Sequence, residues 1–93
     1  MPQLKVHVVS IDEQHFPVAV DFELVDVFGT THKFTEKVPA IGIEIQKTPY
    51  FAWIDCTVSN EKGSSVMVST HDPHGVECHN GNFEFEVPRT SLR

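Results

Sequence analysis

Basic runs, long apolar stretches and cysteine are all scarce in this chain, and each scarcity removes a class of function. Seven Lys and Arg stand against 13 acids, a formal charge of −6, and no two basic residues are adjacent. Phosphate backbones demand a cationic footprint, so nucleic acid is not an expected ligand. An acidic surface favours cations or basic partners instead. No apolar stretch is long enough to span a bilayer, and Met1 to Ser10 does not read as a leader peptide. Neither membrane attachment nor export is therefore expected. Cys56 and Cys78 alone are too few for a disulfide framework, which points to a reducing, cytoplasmic setting. The chain also lacks a phosphate loop, a dinucleotide fingerprint and a Gly-x-Ser-x-Gly elbow. No cofactor is expected.

Helical periodicity is missing as well, and strand alternation takes its place. Val18, Val20, Phe22 and Leu24 alternate with Ala19, Asp21 and Glu23, the cleanest period-2 run in the sequence. Leu4, Val6 and Val8 form an earlier row, and Phe34 and Val38 a later one. Ala52, Ile54, Cys56 and Val58 make another, answered by Val66 and Val68 and then by Val76, Cys78, Phe83, Phe85 and Val87. Ile41, Ile43 and Ile45 also alternate, but the flanking prolines and Gly42 suit a connecting segment equally well. The expectation is one antiparallel all-β domain over residues 1–93, with six or seven strands. A partly open barrel hides its edges best, and a small sandwich is the alternative. The expected core comprises Val18, Val20, Phe22, Leu24, Phe34, Ile54, Cys56, Val58, Val66, Val68, Val76, Phe83, Phe85 and Val87.

Three turn signals convert this alternation into pairings. In Asp26-Val27-Phe28-Gly29 the glycine suits the left-handed end of a three-residue hairpin loop. Asp26 then faces Thr30, Leu24 faces His32, Phe22 faces Phe34 and Val18 faces Val38. Glu23 meets Lys33 on the other face, an ion pair worth about 0.2–1 kcal/mol. The same logic at Asn60-Glu61-Lys62-Gly63 sets Val58 on Val66, Cys56 on Val68 and Ile54 on Thr70, with Trp53 outside near His71. A two-residue Asn80-Gly81 turn pairs Cys78 with Phe83 and places Glu77 opposite Glu84, like charges that repel.

Three candidate sites follow from those pairings. Glu77, Glu84 and Glu86 would form an acidic patch for a cationic partner, with Trp53 as an apolar anchor. His71, His74 and His79 lie within nine residues of one another beside Cys78 and Asp72, all ligand types for a transition metal. Their spacing matches no standard zinc site, so no bound metal is expected. His32 and Glu36 share the face of Phe34 and could form an acid–base pair, but no nucleophile accompanies them.

The pieces Val25-Asp26-Val27-Phe28-Gly29, His32-Lys33-Phe34, Glu36-Lys37-Val38-Pro39, Trp53-Ile54-Asp55-Cys56, Pro73-His74-Gly75-Val76-Glu77 and Phe83-Glu84-Phe85 carry a resemblance. Across residues 17–88 the chain is similar to a group of short, uncharacterised bacterial all-β proteins. That group has no established activity, and its members tend to carry an aromatic residue at the position of His74. The expected function is a non-catalytic protein-binding module, one concrete form being an immunity-type inhibitor of a basic toxin. The alternative is a metal-dependent or acid–base enzyme that uses the His71–His79 segment.

Overall fold

A computed structural model describes residues 1–93. The strands are β1 (Gln3–Asp12), β2 (Ala19–Val25), β3 (Thr31–Lys37), β4 (Tyr50–Asp55), β5 (Thr57–Lys62), β6 (Ser65–Ser69) and β7 (Glu84–Pro88). Strands hold 51% of the residues and helix 8%, so the chain is all-β. One antiparallel sheet runs β3-β2-β1-β4 and a second runs β5-β6-β7. They do not close into a barrel. The arrangement is open and sandwich-like, with both sheets contributing to one hydrophobic core.

The β2–β3 hairpin follows from its turn. Leu24 pairs His32, Phe22 pairs Phe34 and Glu23 pairs Lys33, as the loop type requires. Gly29 has φ +81°, and its N–H donates to the Asp26 carbonyl at 3.1 Å. The Phe22 and Phe34 rings stack at 4.8 Å, and Phe34 meets Phe85 of the second sheet edge-on at 5.6 Å. This aromatic chain links the two sheets.

The second hairpin differs from expectation because its loop is shorter. Gly63, at φ +67°, takes the first of two loop positions, as in a type II′ turn. Lys62 therefore pairs Ser65, Glu61 pairs Val66, and a bulge at Ser59 brings Val58 opposite Val68. Val58 lies on the edge strand and is 36% exposed, so it leaves the core. Cys56 and Ile54 do not join this hairpin. Ile54 pairs Leu4 in the first sheet, where β1 had one apolar face unmatched. Cys56 is the single residue between β4 and β5, and its N–H donates to the Pro2 carbonyl at 3.0 Å.

The third hairpin does not form. Residues 70–83 connect β6 to β7 within the second sheet as a loop pinned by Thr70, which is fully buried. Its hydroxyl donates to the Val76 carbonyl at 2.7 Å, and its N–H to the Phe83 carbonyl at 2.9 Å. Phe85 pairs Val68, so Glu84 lies opposite Ser69 and Glu86 opposite Met67. Glu77 and Glu84 never face each other. Val18 and Phe83 are only half-buried, while Leu4, Val6, Val8, Ile41, Ile43, Ala52 and Cys78 join the core. The ambiguous segment after β3 opens with a short helix α1 (Val38–Ile41) that ends at Gly42, with φ +68°. No helix is long and apolar enough to cross a membrane.

Candidate functional site

The outer face of the four-stranded sheet carries two chemically unlike regions. Alternation puts Lys5 and His7 of β1, Glu23 of β2, Lys33 and Thr35 of β3, and Phe51 and Trp53 of β4 on this face. The bulge at Val9 resets β1, so that Ser10 and Asp12 continue the same face beyond it.

Near β4 the face is aromatic and cationic. Lys5 Nζ sits 4.4 Å from the Phe51 ring centroid, and His7 stacks on the same ring at 4.8 Å. The Arg93 guanidinium lies 4.4 Å over Trp53, and its Nε donates to Gln3 Oε1 at 3.0 Å. Trp53 is opposite Lys5, not beside His71 as the expected pairing placed it. The cause is the same strand reassignment: β4 belongs with β1, whereas His71 packs against Phe83 at 5.0 Å.

Towards β2 and β3 the face becomes polar and acidic. Asp21 accepts from Ser10 Oγ at 2.7 Å and from Thr35 Oγ1 at 2.6 Å, and Thr35 Oγ1 is 2.8 Å from His79 Nε2. The Thr35 and Ser10 hydroxyls hold the Asp21 carboxyl below its usual range, against burial and with help from His79. Asp21, Asp12, His15, Lys37 and Thr35 line a cleft of about 490 Å³. Asp12 shapes its rim by accepting the Gln14 and His15 N–H groups, which turns the chain after β1. Phe16 follows at the tip of that loop, 96% exposed. Neither Phe16 nor Asp12 was a sequence candidate. The only available signal was an aromatic residue set in a polar turn.

The expected acidic patch is dispersed. Glu86 is partly buried, accepting from Ser65 Oγ at 2.8 Å with Lys62 Nζ at 3.6 Å. Glu84 remains exposed on β7. Glu77 lies in the loop close to Glu36, whose carboxyl is raised by burial and then by Glu77, with Lys37 opposing. Glu36 follows Thr35 on β3 and lines the same cleft as Asp21.

The histidines also part company. His74 Nε2 is 3.1 Å from Asp55 Oδ2, His79 is held by Thr35, and His71 lies 3.8 Å from Asp72. No three His, Cys, Asp or Glu side chains converge as a metal site. His32 does not pair with Glu36. Its Nε2 lies 2.7 Å from Asp26 Oδ2 and its ring packs on Phe85 at 4.7 Å, which ties the first hairpin to the second sheet. Burial acts to raise the Asp26 carboxyl, but hydrogen bonds from His32, Thr30 and Phe28 outweigh it and the group lies low. Cys56 is wholly buried, and that burial, followed by Asp55, pushes its thiol up to about 11. Such a thiol is a packing residue and not a nucleophile. No family model matches the chain, and no curated protein or solved structure does either.

Proposed function

We propose that this chain is a non-catalytic protein-binding module that uses the acidic end of its four-stranded sheet to take a basic partner. An immunity-type inhibitor of a basic toxin, working in the cytoplasm, is the concrete form of that proposal. The observation that carries it is Phe16, 96% exposed, one residue from the His15 that lines the cleft beside Asp12 and Asp21. A large exposed aromatic next to unneutralised carboxylates suits an anchor with charged surroundings. Trp53, Glu84 and Glu86 no longer serve this role. Glu77 still adds negative charge at the same end of the sheet through its proximity to Glu36. Cys56 and Cys78, both buried and free, suit a reducing compartment.

The enzyme alternative has less support. Its histidines take separate partners, and each Asp21 oxygen already accepts a hydroxyl. The test is capture from an extract of the source cell by wild type and by a Phe16→Ala, Asp12→Lys double variant, at low and high salt. A specific partner held by wild type, weakened by salt and lost from the double variant, supports the reading. Equal recovery by both proteins would remove this end of the sheet as the site.

A further inference from the structure

The two open sheets leave four edge strands, and the chain protects three of them. Along β7 the outward groups are those of Glu84, Glu86 and Pro88, since Arg89 N–H to Ser64 C=O and Thr70 N–H to Phe83 C=O set the inward parity. The Glu84 carbonyl accepts from Asn82 Nδ2 at 3.1 Å, the Glu86 carbonyl accepts from the Val27 N–H at 2.9 Å, and Pro88 has no N–H. On β3 the Lys33 carbonyl accepts from the His79 N–H at 2.8 Å, so the 78–82 loop crosses that edge. β5 is interrupted by the bulge at Ser59 and carries Glu61 and Lys62. Bulges, charges, prolines and covering loops are the ordinary ways of blunting an edge.

β4 carries only one of them, the charge of Asp55 at its far end, where His74 Nε2 lies 3.1 Å away. Its six residues pair with β1 in unbroken register, and the sequence Tyr50-Phe51-Ala52-Trp53-Ile54-Asp55 contains no proline and no lysine. The Cys56 N–H donates to Pro2, which makes residues 50, 52 and 54 the ones that bond to β1. The N–H and C=O groups of Phe51, Trp53 and Asp55 therefore point to the open side, and none has a hydrogen-bond partner within the chain. A groove of about 280 Å³ runs along this edge between Trp53 and the loop at Glu44 and Gln46. Above it lie the two exposed cations, Lys5 on Phe51 and Arg93 on Trp53.

We propose that the β4 edge is a docking surface that takes an extended acidic segment of a partner protein as a fifth strand of the sheet. Main-chain hydrogen bonds to Phe51, Trp53 and Asp55 supply the pairing, as in other strand-addition complexes. Outward side chains of the added strand rest against Phe51 and Trp53, within reach of Lys5 and Arg93. Carboxylates complement that position and lysines do not. This surface is separate from the acidic cleft, and its sheet face presents Lys5 and Arg93 over the aromatic rings, with Glu44 and Asp55 flanking the edge.

The test uses the full chain, labelled with nitrogen-15, and two capped heptapeptides, one alternating valine with glutamate and the other valine with lysine. The glutamate probe should shift the Phe51, Trp53 and Asp55 amides first and give cross-chain contacts to them. Exchanging Lys5 and Arg93 for Glu should weaken it about tenfold or more, as loss of paired charges does. Phe51→Pro, which deletes one outward N–H, should abolish the contacts while the thermal transition persists. Absence of shifts at β4, shifts centred on another edge, or equal binding of the lysine probe would each overturn the proposal. So would concentration-dependent β4 shifts without any probe, because the occupant would then be a second copy of the chain.

Discussion

The turns at Asp26–Thr30 and Cys78–Asn82 share one backbone design and lead to opposite results. In each, the first N–H donates to the fifth carbonyl and the fourth N–H to the first carbonyl. In each, the fourth residue is glycine, with φ of +81° at Gly29 and +86° at Gly81. An Asx oxygen caps both, Asp26 Oδ1 on Phe28 and Thr30, and Asn80 Oδ1 on Asn82. Yet the first turn is continued by a seven-pair ladder from Ala19↔Lys37 to Val25↔Thr31, and the second by none. The difference lies in what the flanks offer. Beyond the first turn Phe22 meets Phe34 and Glu23 meets Lys33. Beyond the second, a three-residue loop would set Val76 against Glu84 and Glu77 against Phe83. β6 offers that strand a better match, with Val68 for Phe85 and Val66 for Val87. A turn proposes a register, and the side chains on its flanks accept or refuse it.

The largest effect that could break this comparison comes from the aromatic pair. Phe22→Ala should cost about 3–5 kcal/mol in denaturant unfolding, whereas Phe83→Ala beyond the refused turn should cost about 1–2 kcal/mol. Equal losses would mean that the second turn organises as much structure as the first. Next is Thr70→Val, which keeps shape but leaves the buried Val76 carbonyl without its hydroxyl donor. A loss of about 1–3 kcal/mol is expected, read by the shift of the thermal midpoint. Gly29→Ala should cost about 1 kcal/mol globally, since an L side chain is strained at its φ although nothing crowds the added Cβ. Gly81→Ala carries the same local strain, but it should appear chiefly as faster amide exchange over residues 78–82, with little change in global unfolding.

The smallest effect is a dependence on acidity. Asp26 has its folded pKa lowered, so its stabilisation is complete above the ordinary carboxylate value and fades as pH falls through the depressed one. Amide protection at Phe28 and Thr30 should therefore decline on acidification below about pH 4. Protection at Asn82, capped by a neutral amide, should hold. Glu36 runs the other way. Burial and Glu77 raise its pKa, so its ionisation works against folding as pH rises through that raised value. Glu36→Gln should then raise stability slightly at neutral pH, as measured by thermal unfolding.

The same contrast shows what could be read from the residues. Asp26-Val27-Phe28-Gly29 was legible because turn type, face and charge pairing agreed with one another. Gly63 misled by one position, since its φ serves a two-residue loop as well as a three-residue one, and the bulge at Ser59 leaves no mark in the sequence. Asn80-Gly81 misled because the competing partner, β6, lies far from that turn in its own hairpin. The candidate site was less legible still. Phe16 becomes conspicuous only once its loop is seen standing clear of the sheet, and the open edge at β4 depends on which strands end up central. Edges belong to topology, and local alternation says little about them.

Cys56, the single residue between the two sheets, offers the chain a built-in clock. Its thiol is covered and held near 11, so a thiol reagent at neutral pH finds almost no thiolate in the native state. Modification must wait until the core around Cys56 opens and the Pro2 contact is released. The rate of labelling thus counts openings of the seam, independently of whole-molecule melting. Cys78, which donates to Asn80 Oδ1 at 2.7 Å beside a solvent-facing turn, provides a second clock on the refused hairpin. Two dials on one molecule would register the seam and the turn separately.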